Sequence, residues 1–346
     1  MCRKELSYIL RGYRVVKAEI VQNSFGNSLR YTIFGASHSD EVGIVIDGLP
    51  SGITLDSELF ATDMDRRRPM LRGETTRHEA DTPVIEGVDE CGRTTGESVS
   101  IKFSNNNIRS KDYSHLKSHP RPSHADYVQR HKYGEEYDLS GGGMASGRMT
   151  VALVAAGVVA KQLLSDVSFD TRLIQVGAEL DASRFEEVIA NARMAQDSVG
   201  GVIECRVQGV PMLLGEPFFD SAESIISHML FSIPGIKGVE FGDGFASAAK
   251  YGSERNDRYV DAAGHTATNN EGGINGGITN GNDIVVRVAV KPTPSIGREQ
   301  LTFDMEYGQM RSLKIGGRHD SCIARRAVVV VEAVVAMALA ELRLRR

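Results

Sequence analysis

Residues 151–164, VALVAAGVVAKQLL, and residues 327–342, AVVVVEAVVAMALAEL, are apolar almost all the way round and too long for ordinary strands. A helix without a polar face must be covered on more than one side. Four other segments alternate with a period of two, at 29–33, 99–103, 203–207 and 284–291, so each buries one face and wets the other. A helical layer between two half-wetted sheets satisfies both demands. The expected fold class is therefore α+β, a sandwich of antiparallel sheets with helices packed between them. A doubly wound parallel sheet would instead show continuous apolar strands. The valine-rich start at 328–331 also reads as a strand. Residues 185–194 and 221–229 carry the spacing of amphipathic surface helices.

Outside the helices the composition is that of a soluble globular chain. The 346 residues carry 40 Lys+Arg against 45 Asp+Glu, a net charge of −5, which argues against a dedicated nucleic-acid binder. A hydrophobic content of 41% is enough for a sizeable core. The four cysteines are scattered without a C-x-x-C pair, fitting neither a disulfide framework nor a zinc site and pointing to a reducing, cytoplasmic setting. Residues 1–22 are charged and lack the apolar core of a signal peptide. The apolar run at 327–340 is broken by Glu332 and is too short to span a membrane. No Pro/Ser-rich linker divides the chain, so residues 1–23 are expected to be an N-terminal extension and 24–346 a single domain.

Polar and glycine-rich residues gather in a few places. Ser37 and His38 follow an alternating strand, His124 lies in Arg121-Pro122-Ser123-His124, and a triple glycine at 141–143 precedes Met144, Ala145, Ser146 and Arg148. Further on come the glycines of 272–281, then Lys291-Pro292-Thr293-Pro294-Ser295, and finally Gly316-Gly317-Arg318-His319-Asp320. Glycine loops that open a helix present backbone N–H groups to anions, and Arg148 and Arg318 stand beside two of them as a fork for one phosphate. Neither a P-loop nor a strand-borne G-x-G-x-x-G occurs, and no G-x-S-x-G marks a serine hydrolase. Histidines and cysteines lack metal-ligand spacing, so no metal is expected. Each cluster alone reads as a turn or a solvated face.

In this order the clusters resemble the chorismate synthases. The likeness runs through SFGNSLRYTIFGASHS from Ser24, DRRRP from Asp65, TTRHEAD from Thr75, NNNIRSKDYS from Asn105 and RPSHADYVQRHKYG from Arg121. It continues through KGVEFGDGF from Lys237, GGINGGITNG from Gly272, KPTPSI from Lys291 and GRHDSCIARRAV from Gly317. The resemblance implies a carbon–oxygen lyase of the shikimate pathway, acting in aromatic amino acid biosynthesis. It would perform the trans-1,4 elimination of phosphate from 5-enolpyruvylshikimate 3-phosphate, giving chorismate. It also implies reduced FMN without net redox change, NADPH as a further ligand, an external flavin reductant and a homotetramer.

By motif match, Arg67, Arg72 and Arg148 would bind the substrate. Met144, Ala145, Ser146, Pro234, Gly235, Gly276, Lys291, Pro292, Thr293, Pro294, Ser295 and Arg318 would bind FMN. His124 would be the acid at the leaving phosphate, His38 would set flavin protonation, and Asp320 with Ser37 would relay the proton from the flavin's central-ring nitrogen. Many members carry Gly-Glu-Ser-His-Gly where this chain has GASHS, and an arginine where it has Met144. The alternative is a catalytically silent paralogue that binds flavin or a phospho-ligand.

Overall fold

A computed structural model describes residues 23–69, 79–106, 118–134, 137–316 and 320–345. The expected extension lies outside these residues except for Asn23. Thirteen strands are described. The first sheet holds β1 (Ser24–Phe25), β2 (Arg30–Gly35), β3 (Glu41–Asp47), β4 (Val84–Glu86) and β5 (Val99–Ser104), in the order β1-β2-β3-β5-β4 and antiparallel throughout. The second holds β6 (Ser168–Val176), β7 (Gly201–Gln208), β8 (Ile236–Phe241) and β11 (Ile284–Val290), in the order β6-β7-β11-β8, again antiparallel. Two hairpins, β9 (Ile274–Asn275) with β10 (Ile278–Thr279) and β12 (Gln300–Asp304) with β13 (Gln309–Leu313), stand outside the sandwich. The four segments that alternate in sequence fall within β2, β5, β7 and β11 to within a residue or two.

The helices are α1 (Ser57–Arg67), α2 (Asp126–Tyr133), α3 (Thr150–Leu163), α4 (Phe185–Met194), α5 (Ala222–Leu230), the short α6 (Gly252–Arg255) and α7 (Ala324–Leu344). The two all-round apolar segments are α3 and α7. They pack against each other, α3 on β3 and β5 and α7 on β6 and β7. Sheet, two helical layers and sheet follow in that order. Alternation supplies the apolar faces, with Val42, Ile44, Ile46, Val99, Ile101 and Phe103 under α3 and Ile203, Cys205, Val207, Val286 and Val288 on the other sheet, all buried.

The strand reading of 328–331 is corrected. Those valines lie inside α7, where burial against α3 and a sheet outweighs the modest helical cost of β-branching. Glu332, the charge that interrupts the apolar run, is buried, and Arg66 grips it with two hydrogen bonds while Lys161 adds a third, joining α1, α3 and α7. Burial raises the Glu332 carboxyl's pKa, but these cations outweigh it and leave the group below the usual carboxylate range. Amphipathic α4 buries Phe185 and Ile189, and α5 turns Ile225, Ile226, Met229 and Leu230 inward. Among the described residues no helix is long and apolar enough to cross a membrane.

Candidate active site

Loops from both halves of the sandwich meet at a cavity of about 410 Å³, within the roughly 300–1,000 Å³ usual for small-molecule sites. Strand β2 delivers the first loop. Ala36 N–H donates to Ser39 Oγ at 2.8 Å, and Asn105 Nδ2 donates to the carbonyls of Ala36 and Ser39, so the turn bearing Ser37 and His38 is pinned. Ser37 is fully buried, its N–H on Gly143 O at 3.2 Å and its Oγ accepting from Ser146 Oγ at 3.3 Å.

The triple glycine does something other than open a helix. Gly141, Gly142 and Gly143 have φ of 62°, 93° and 56°, and a second short turn at Gly147–Met149 separates them from α3. A Cβ on Gly141 would fall 2.6 Å from Ser37 Oγ, and one on Gly142 would fall 3.4 Å from His124 Cε1. Bare backbone therefore fills the gap between the two histidine-bearing loops. The N–H groups of Gly142 and Ser146 are spent on Leu139 O and Gly143 O.

His124 lies two residues before the start of α2. Its Nδ1 is 2.6 Å from Asp126 Oδ1, and Asp126 also takes hydrogen bonds from Arg121 Nε and Nη2, both at 2.7 Å. Burial pushes the imidazole below its ordinary value; the Asp126 hydrogen bond opposes this, and the charges of Arg121 and Lys291 reinforce it. Burial would raise the Asp126 carboxyl, but its bonds from Arg121 and His124 prevail and hold it far below the usual range. Arg121 Nη1 reaches Ser295 Oγ at 2.8 Å, and Lys291 Nζ donates to Ser123 O at 2.8 Å, so the loop leaving β11 is tied to the His124 loop. Burial, followed by repulsion from Lys237, lowers Lys291.

Two arginines converge on one carboxylate. Asp81 accepts from Arg67 Nη1 at 2.9 Å through one oxygen and from Arg148 Nη1 through the other, and all three side chains are buried. Arg148 Nε and Nη2 bond Asn105 Oδ1 and Ser104 O, while Arg67 Nε bonds Thr150 Oγ1. Asp320 lines the same cavity and accepts from Arg326 Nη1 at 2.9 Å, and Arg326 Nε reaches Arg67 O at 3.0 Å.

Of the residues expected from sequence, the cavity wall brings together His38, His124, Asp320, Arg67, Arg148, Ala145, Ser146, Pro234, Gly235, Lys291, Thr293, Pro294 and Ser295. Ser37 sits directly behind Ser146. Arg148, expected to share an anion with Arg318, lines the cavity while bonding Asp81, Asn105 and Ser104. Met144 lines a second cavity of about 240 Å³, where Asn23 Nδ2 donates to its sulfur. Gly276 is the first residue of the two-residue turn between β9 and β10, with φ of 59°, and Pro292 is exposed; neither lines the main cavity. Arg72 and Arg318 lie outside the described residues, as do 75–78, 107–114 and 317–319 of the quoted motifs.

Sequence reasoning passed over Asp81, Arg121, Asp126 and Arg326, although each stands inside a quoted motif. Their signal is weak because isolated arginines and aspartates normally read as solvated surface residues.

Buried arginines, two histidines and a carboxylate around one cavity of an α+β sandwich have the chemistry of an enzyme site suited to an anionic ligand. The family model for chorismate synthase matches residues 29–344. A chorismate synthase of Chitinophaga pinensis is 52% identical over 93% of this chain and 96% of its own length. One from Archaeoglobus fulgidus is 43% identical over 92% and 96%. A crystal structure of chorismate synthase superposes with a TM-score of 0.68 at 26% identity, covering 93% of each chain. The chain belongs to the chorismate synthase family, and is thereby a lyase.

Proposed function

We propose that this cavity converts 5-enolpyruvylshikimate 3-phosphate to chorismate and phosphate by 1,4-elimination in the presence of reduced FMN. The observation that carries the reading is the glycine wedge at 141–142, which holds His38 and His124 on either side of one loop while Asp320 faces the same space. The donor set fits a flavin mononucleotide. Thr293 Oγ1 is buried with no hydrogen-bond partner among the described residues, and Lys291 supplies an ammonium two residues before it, a pair suited to a phosphate. Ala145, Ser146, Pro234 and Gly235 would hold the rest through backbone contacts.

Bound reduced FMN would supply a transient electron and recover it, which is what an unactivated ring hydrogen requires. The chain's own residues do the rest. His124, buried and joined to Asp126, hands a proton to the departing phosphate. Arg67 and Arg148, fixed by Asp81, present two positive charges in the wall without rearrangement, which is electrostatic preorganisation. Asp320, anchored through Oδ2 on Arg326, would be the carboxylate that, with Ser37, relays a proton away from the flavin's central-ring nitrogen. His38 stands against Gly141 as the second proton-bearing group.

The enzyme would work as a single catalytic domain of residues 24–346, in the cytoplasm, as a homotetramer, with its flavin reduced by an external donor and NADPH as a further ligand. Anaerobic chorismate formation with dithionite-reduced FMN, with and without NADPH, tests the reading. Turnover that needs reduced FMN but not NADPH supports a monofunctional enzyme. Flavin binding without turnover overturns the reading in favour of a silent paralogue. Asp320→Asn with full turnover would remove Asp320 from proton transfer.

A further inference from the structure

The contacts of His124 leave its ring only one arrangement. Nδ1 lies 2.6 Å from Asp126 Oδ1 and 3.1 Å from Arg121 Nη2. A carboxylate can only accept and a guanidinium can only donate, so the shorter contact requires a proton on Nδ1, and the Arg121 approach is then a charge neighbour, not a hydrogen bond. Asp126 is itself immobile: buried, in the first turn of α2 where the helix dipole favours an anion, and gripped by Arg121 through Nε, Nη2 and the backbone N–H. The remaining ring nitrogen, Nε2, lies on the side of Gly142, where an added Cβ would fall 3.5 Å from it.

We infer that Asp126 is a positioning residue that fixes His124 as the Nδ1–H tautomer, so that Nε2 alone exchanges protons with the leaving phosphate. The inference rests on the elimination proposed above. The charged groups around the imidazole are Asp126 and Arg121 beside it and Lys291 from the loop after β11. Burial, reinforced by the charges of Arg121 and Lys291 and opposed by Asp126, weakens the ring's hold on a second proton, and the negative charge of a phosphorylated ligand strengthens it. The proton is then taken up at Nε2 together with the substrate, and the imidazolium so formed is stabilised by Asp126 on its other nitrogen. Proton balance is simple: one proton enters at Nε2 on binding and leaves on the phosphate.

Two measurements test this. The first uses the whole wild-type protein labelled with 15N-histidine, with the His124 signal identified by its absence in His124→Asn. The Nδ1–H tautomer is expected at pH 7.5, and the Nε2–H tautomer would overturn the inference whether or not the protein makes chorismate. The second compares Asp126→Asn and Asp126→Glu with wild type under reduced FMN. Asp126→Asn should lower kcat by about 10²-fold or more with KM little changed and the acid limb of the pH profile displaced, and Asp126→Glu should recover part of the loss. A kcat within threefold of wild type for Asp126→Asn, or equal losses in both variants with an unmoved pH profile, would overturn the positioning role. A wild-type protein that shows the Nδ1–H tautomer but no turnover would refute the elimination and leave the tautomer assignment standing.

Discussion

The Gly141 backbone lies so close to the His38 imidazole that a Cβ at that position would fall 2.3 Å from Cε1. The contact explains a glycine where φ is 62°, since the left-handed conformation and the proximity both exclude a side chain. Gly141→Ala would have to push the imidazole aside or move the loop. Displacement of about 1 Å at a catalytic group commonly costs on the order of 10²-fold in rate. Steady-state turnover with reduced FMN should fall by that order, with a stability loss of about 1–2 kcal/mol from the backbone strain. Turnover within a few-fold of wild type would show that His38 does not need its present position.

Asp81 carries a heavier burden, because its single carboxylate is the shared partner of Arg67 and Arg148 in a buried wall. Removing one partner of a buried ion pair leaves uncompensated charge and costs about 3–5 kcal/mol. Asp81→Asn should therefore lower unfolding stability in urea by about that amount. Inorganic phosphate should restore more stability to the variant than it adds to wild type, since an anion can replace the lost carboxylate. Equal phosphate effects on the two proteins would mean that the arginines do not face a site open to phosphate.

The helix pair sets two effects against each other at Gly157. In an isolated helix, Gly→Ala gains about 1 kcal/mol from propensity. Here the added Cβ would sit 2.2 Å from Ala333 Cβ and 2.5 Å from its Cα, backbone of the facing helix that cannot swing away. Overpacking of this kind costs about 1–3 kcal/mol, and separating α3 from α7 would also disturb both sheets. Gly157→Ala should thus lower the melting temperature despite its better helix propensity. An unchanged or higher value would indicate that the helices can part without loss.

The layers were legible because each depended on a local pattern. Apolar residues all round 151–164 could only be covered from several sides, and alternation at 99–103 and 203–207 could only mean one buried face. Much of the site was legible as well, since His38, His124 and Asp320 stand in separate motifs that fold into one wall. What escaped was pairing across distance. Nothing local to Asp81 signals that Arg148, 67 residues away, shares its carboxylate, nor does a run of valines at 328–331 reveal that burial will overrule its strand preference. In sequence the triple glycine offers its N–H groups, while in the fold its missing side chains make room for the packed histidines.

Acid should loosen the seam between the last helix and the first sheet. Glu341 is buried and accepts hydrogen bonds from the N–H groups of Asn27, Ser28 and Leu29 at 2.7, 3.3 and 2.5 Å, with Arg345 Nε at 2.7 Å. Burial favours its protonated form, but these donors outweigh burial and lower its pKa. A carboxylate whose folded pKa lies below its unfolded value, about 4.3, contributes stability above that value and loses it as pH falls through the folded pKa. Glu341→Gln, which is neutral at every pH, should be clearly less stable than wild type at pH 7, and the gap should narrow steadily below about pH 4. Urea unfolding of both proteins between pH 7 and 3 reads this directly. A gap that stays constant through that range would mean that the carboxylate's charge contributes nothing and that only the shape of the side chain holds the turn at 27–29.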